Sequence, residues 1–133
     1  MTMWTLAEIE AVVRAAWSID TCDEHDRPGW TVDVPERGQC VATAWLLHDL
    51  LGAALVCAEV HHADGSLQGY HYWNRLPGGI DVDLTRTQFA RGEVVQAGQV
   101  VERGEGLPIP GGPQYVRLRD AVLAELAGYQ PLE

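Results

Sequence analysis

The stretch Gly38-Gln39-Cys40-Val41-Ala42-Thr43-Ala44-Trp45-Leu46-Leu47-His48-Asp49-Leu50-Leu51-Gly52 decides how this chain folds. From Cys40 to Leu51 it is dense and apolar, which predicts a buried helix. Gly52 stands where a helix C-terminal glycine belongs. A helix buried on most of its surface needs other elements around it, and the flanking sequence supplies them. Upstream, Thr5 with Glu8 reads as a capping box opening a first helix. Its apolar face is Leu6, Ile9, Val12, Val13, Ala16 and Trp17. Residues 20–38 are polar and irregular, punctuated by Pro28, Gly29, Pro35 and Gly38.

Downstream, three short runs have strand character: Leu55 to His61, Gly69 to Leu76 and Ile80 to Leu84. The turn signals Asp64-Gly65 and Pro77-Gly78-Gly79 separate them, so they read as an antiparallel meander packed on the Cys40 helix. Thr85 with Gln88 reads as a second capping box, for a short helix ending near Gly92. Val94 to Val101 reads as one further strand weakened by Gly98, and Gly104 to Pro113 as loop. A last helix over 114–127 turns Tyr115, Leu118, Val122 and Leu126 inward. The element order predicts an α+β fold over 1–133 as one domain.

Composition narrows the function classes. The chain has 133 residues, 47 % hydrophobic and 21 % charged, a mixture that excludes a disordered tail. Its formal net charge is −10, and all nine basic residues are Arg. Such a surface repels a phosphate backbone, so nucleic acid is not an expected partner. Without Lys there is no Schiff-base nucleophile or Lys general base. No apolar run is long enough for a membrane span, and Met1-Thr2-Met3-Trp4 carries no signal core, which predicts a cytoplasmic protein without a membrane partner. Cys22, Cys40 and Cys57 form no Cys-x-x-Cys pair and read as three reduced thiols.

Cys40 would take the first turn of the buried helix, where free backbone N–H groups and partial positive charge favour a thiolate. Its pKa is expected to fall well below the ordinary thiol value if a His joins it. The same N–H groups could hold an oxyanion. Gly38 would permit close approach by a substrate, and Gln39 would offer an amide donor. His71 lies in the apolar, aromatic run His71-Tyr72-Trp73-Asn74, where a lone His needs a reason. If residues 77–79 form a three-residue loop, residue 76 faces 80 and 73 faces 83. His71, Trp73, Asp81 and Asp83 then share one face, with Asp83 a diagonal step from His71 and Asp81 opposite Arg75. A two-residue loop would instead bring Asn74 opposite Asp83 and make Asn74 the orienting group. On the first register Cys40, His71 and Asp83 form a nucleophile, base and orienting acid, with Trp73 shielding the site from water.

The order Cys40, then His71 with Trp73, then Asp83 with Thr85 resembles the transglutaminase-like branch of papain-like cysteine enzymes. More closely, Gly38-Gln39-Cys40, Thr43-Ala44, His71-Tyr72-Trp73-Asn74, Asp83-Leu84-Thr85-Arg86 and Gln88-Phe89 resemble the YunG family of small bacterial proteins, over residues 35 to 90. The resemblance implies a papain-like core, a Cys-bearing helix against a small antiparallel sheet carrying His and Asp. It implies no particular substrate.

Other candidates carry less. His61, His62 and Asp64 suggest metal ligands, but neighbouring strand residues point to opposite faces, so no metal or cofactor is expected. His25 reads as solvated loop, His48 as helix surface, Cys57 as an inert core thiol and Cys22 as an exposed loop thiol without a basic partner. The expected function is a thiol hydrolase (amidase, deamidase or peptidase-like) acting on an amide or other acyl group, with a protein or peptide as substrate. The alternative is an inactive descendant of that fold that binds a protein or peptide in the same cleft.

Overall fold

The computed structural model describes residues 4–108 and 111–128; the amino-terminal Met1-Thr2-Met3 and positions 109–110 of the glycine-rich loop lie outside it. Three helices gather on one side of an antiparallel sheet. Helix α1 (Leu6–Ala16) opens with the capping box expected from sequence: the Thr5 hydroxyl accepts from the Glu8 N–H, and the Glu8 carboxylate accepts from the Thr5 N–H, each at 3.1 Å. Helix α2 (Cys40–Leu51) ends at Gly52, whose φ of +68° is the left-handed cap conformation and whose N–H bonds the His48 carbonyl. Helix α3 (Gly112–Gly128) buries Tyr115, Leu118, Val122 and Leu126, the four positions its periodicity predicts.

The core forms where these helices meet. Ile9, Val13 and Trp17 of the first segment pack with Ala42, Leu46 and Leu47 of α2, the inward stripe of α3, and Leu84. Each fully buried aliphatic side chain here contributes about 1.5–3 kcal/mol by leaving water. The Trp17 indole N–H donates to the Thr43 hydroxyl at 2.9 Å, whereas the buried indole nitrogens of Trp4 and Trp45 at the rim of this core have no hydrogen-bond partner among the described residues.

Strands β1 (Ala54–His61) and β2 (Leu67–Arg75) form the long hairpin of the sheet. Strand β3 (Asp81–Val82) pairs with the end of β2 in the register Asn74↔Val82 and Arg75↔Asp81, and the Leu76 N–H bonds the Ile80 carbonyl at 2.7 Å. This is the odd, three-residue loop, with glycines at positive φ at 78 and 79. Two expectations change. Val94 to Val101 is two strands, β4 (Val94–Val95) and β5 (Gln99–Val101), both paired with β1. Between them the register on β1 shifts by one residue, and Gly98 there is glycine because a Cβ would sit 2.5 Å from the Trp73 ring. The Thr85–Gln88 segment is a single 3-10 turn (Arg86–Gln88) without a capping box, because the Gln88 amide is turned inward instead. Among the described residues no helix is long and apolar enough to cross a membrane.

Candidate active site

Strand alternation divides the site. Tyr72 and Asn74 face α2: the Tyr72 ring meets Trp45 edge-on at 6.3 Å, and the Asn74 amide donates to the Ala44 carbonyl at 2.9 Å. His71 and Trp73 therefore point to the opposite face, above Ala58 and Val56 of β1. The rings of His71 and Trp73 stack at 5.4 Å, Phe89 meets His71 edge-on at 4.8 Å, and His71 is completely buried.

On that face the expected acid arrives. The Asp83 carboxylate lies 2.7 Å from His71 Nε2, the diagonal contact that the odd hairpin register predicts. A carboxylate only accepts, so Nε2 donates; in the neutral ring that leaves the lone pair on Nδ1. Asp83 Oδ2 is shared with Arg86 Nε at 2.7 Å, and Oδ1 accepts the Thr85 N–H at 3.3 Å. Asp81 is taken by Arg75 at 2.6 Å, as its place opposite Arg75 implied. Asn74 does not orient His71; its amide serves α2.

Cys40 is the first residue of α2 and is half-buried. Its sulfur reaches the edge of β2 from the α2 side, where the Tyr72 backbone N–H is directed at it. Among the described residues no hydrogen bond joins Cys40 to His71. The expected depressed thiol pKa is not found: burial pushes it up to about 12, the carboxylates of Asp26, Asp83 and Asp23 add to this, and the Tyr72 N–H opposes it only in part. A helix N-terminus is too weak to offset that desolvation. Cys40, Tyr72, Trp73, Asp83 and Thr85 line one gap of about 10 Å³, no larger than a single water.

The roles expected for Gly38 and Gln39 also change. The Gln39 amide is buried, donating to the Ser18 carbonyl at 3.0 Å and accepting from the Thr21 hydroxyl at 2.8 Å, so it is not free for a substrate. Gly38 has φ +72°, and a Cβ there would lie 2.5 Å from Cys22 Sγ. Its glycine serves close packing of the 22–26 loop, not substrate approach. Cys22 is accordingly buried rather than exposed: its thiol donates to the Arg37 carbonyl at 3.2 Å, and burial pushes it up to about 11. Cys57, expected as an inert core thiol, is half-buried on β1 and stands opposite Tyr72 of β2.

Sequence reasoning missed the residue that joins the two halves. Gln88 accepts the Gly38 N–H at 3.1 Å, and its amide nitrogen donates to the Thr85 hydroxyl at 3.1 Å and faces His71 Nδ1 at 3.5 Å. Arg86, besides pairing with Asp83, lies over the Trp73 ring at 4.9 Å. The signal was present: Arg86, Gln88 and Phe89 follow Asp83 in one short run. Their convergence on His71 depends on the tight turn after Thr85.

This is an α+β protein in which a helix-start cysteine abuts a strand whose buried His71 pairs with Asp83 from the segment after β3. The chain belongs to the YunG family, whose model, described as YunG protein, matches residues 5–127. It is similar to "Uncharacterized protein YunG" of Bacillus subtilis (strain 168), 25 % identical over 84 residues, a match spanning 63 % of this chain and 63 % of that relative. No solved structure matches the chain.

Proposed function

We propose that this chain is a cysteine hydrolase of the papain-like, transglutaminase-like type, with Cys40 as nucleophile, His71 as base and Asp83 as orienting acid. The observation that carries the reading is the part-buried 2.7 Å bond from the buried His71 ring, at Nε2, to Asp83, which leaves Nδ1 as a base one residue from Tyr72, whose N–H faces the sulfur. A buried imidazole–carboxylate pair is an expensive device for stability alone. In the reaction the Cys40 proton passes to Nδ1 as sulfur attacks the acyl carbon. The C–N bond then breaks as Nδ1 returns the proton to the leaving amine, and water releases the acyl group from sulfur by the same relay. The Cys40 and Val41 N–H groups, in the first turn of α2 and without a partner among the described residues, would receive the oxyanion. Proton transfer requires the Gln88 amide to leave Nδ1 and the Cys40 side chain to turn toward the ring.

The test is acylation by a p-nitrophenyl ester, read by mass spectrometry at Cys40. Cys40→Ala abolishes the adduct, and His71→Ala slows it by about a hundredfold or more, the usual contribution of a general base. Equal acylation of wild type and a folded His71→Ala would overturn the reading. The binding-module alternative is favoured by one observation, the raised thiol without a Cys40–His71 bond. That reading expects slow, His71-independent acylation at all three cysteines.

A further inference from the structure

The small gap behind Cys40 contrasts with the space in front of it. Cys40 lines a groove of about 490 Å³ between the loop carrying Asp23 and Asp26 and the outer edge of β2 at Gly69–Tyr72, with Glu93 also on its wall. That edge is unpaired. Strand β3 covers only Asn74 and Arg75, so on this outer edge, opposite β1, no strand of the described residues pairs with β2 from Gln68 to Tyr72. The Leu76–Ile80 bond sets the phase of the ladder, and outward-facing residues recur every second position. Tyr72 and Tyr70 therefore present their backbone N–H and C=O outward. The Tyr72 N–H lies toward the Cys40 sulfur, and the Tyr70 pair faces the groove. An open edge of this kind is a template for an added strand.

Charge selects the occupant. Asp26 pairs with Arg37 at 3.2 Å. Asp23 and Glu93 accept only backbone N–H groups, from His25 at 2.9 Å and Ala90 at 2.6 Å, and have no ion-pair partner among the described residues. The groove is thus left with two uncompensated carboxylates on a chain of net charge −10.

Building on the thiol-hydrolase reading, we propose that this groove takes an extended basic peptide as an added strand on the edge of β2. Its backbone pairs with Tyr70, an Arg or Lys side chain lies toward Asp23 and Glu93, and an acyl carbon is presented to Cys40. A small amine would use the carboxylates but leave the strand edge empty. A nucleic acid is repelled by the charges that attract the peptide.

The experiment uses the full chain and two fluorescein-labelled hexapeptides, identical but for one central Arg or Glu, each also made as an acyloxymethyl ketone. Fluorescence anisotropy on Cys40→Ala, with Cys40→Ser as a second variant, reads binding without chemistry. The Arg peptide is expected to bind about tenfold more tightly than the Glu peptide, the difference shrinking in about 0.5 M salt. Asp23→Asn with Glu93→Gln should bring the two affinities together, and N-methylation of alternate peptide amides should weaken both peptides. Equal binding of the Arg and Glu peptides overturns the proposal. So does binding that survives N-methylation, or agmatine binding as tightly as the Arg peptide. The ketones separate this proposal from the reading beneath it. If the Arg peptide binds Cys40→Ala yet its ketone labels wild type and His71→Ala at equal rates, the hydrolase reading falls and the groove stands. Faster, His71-dependent labelling by the Arg ketone supports both.

Discussion

The His71–Asp83 hairpin and the Cys40 helix start flank one cavity but are held by different kinds of contact. The hairpin pair is 12 residues apart and follows from strand register and a short turn. The helix start is held from farther away, by Cys22 to Arg37 across 15 positions, Gln39 to Thr21 across 18 and Gly38 to Gln88 across 50. A site half built by local register and half by distant contacts has two independent ways to break. Removing a hairpin group should alter chemistry before stability. Removing a loop group should alter stability first.

The largest effect is expected at Asp83. In Asp83→Asn the side-chain amide donates to Nε2 and drives the proton to Nδ1, which in the proposed relay is the wrong tautomer for accepting from Cys40. Acylation at Cys40 should fall by about 10²- to 10⁴-fold while circular dichroism stays near wild type. An undiminished rate would remove Asp83 from the site. On the other side of the comparison, Gly38→Ala places a Cβ 2.5 Å from Cys22 Sγ and 2.8 Å from Asp26 Cβ at a φ of +72°. It should lose about 2–4 kcal/mol in urea unfolding, partly recovered by adding Cys22→Ala. A neutral result would mean that the loop does not hold the helix start.

Asn74 sharpens the contrast, because it sits on the hairpin yet serves the helix. Its amide bonds the Ala44 carbonyl in the interior, so Asn74→Ala should lose about 1–3 kcal/mol and leave the pH profile of acylation unshifted. A shifted profile would return to Asn74 the orienting role that the even register allowed.

The smallest effects concern the resting thiols. With Cys40 pushed up to about 12, its iodoacetamide alkylation should climb about tenfold per pH unit from 7 to 10 without a plateau. A plateau below pH 8 would show a resting thiolate. The folded chain also holds the Cys22 proton more tightly than the unfolded chain does. That contribution to stability is complete below the unfolded thiol's 9.0 and is lost as pH rises toward about 11. The melting temperature of the reduced protein should therefore decline from pH 9 to 11, and a flat profile would count against the buried thiol.

How far the sequence reached can be followed residue by residue. The Thr5–Glu8 box, the Gly52 cap and the inward stripe of the last helix are local matters of hydrogen bonding and period. All three were legible. So was the pairing of His71 with Asp83, because a three-residue turn leaves one register in which side chains at 71, 73, 81 and 83 share a face. Other features follow only from tertiary structure. Parity groups His71 with Asp83 but does not say which face α2 covers, and α2 covers the face of Tyr72 and Asn74. Hence Cys40 meets the backbone of Tyr72 at the strand edge instead of bonding the imidazole. Nor does position at a helix start reveal how deeply a thiol will be buried. Desolvation depends on everything packed around the sulfur, and here it outweighs the helix end. Gln39, Gly38 and Gln88 carry the same lesson, since a buried amide takes whichever partners the distant chain brings to it. Local periodicity and turn geometry determined the elements and the His–Asp pair; the packing of α2 and the 22–38 loop against the sheet edge decided where the thiol stands.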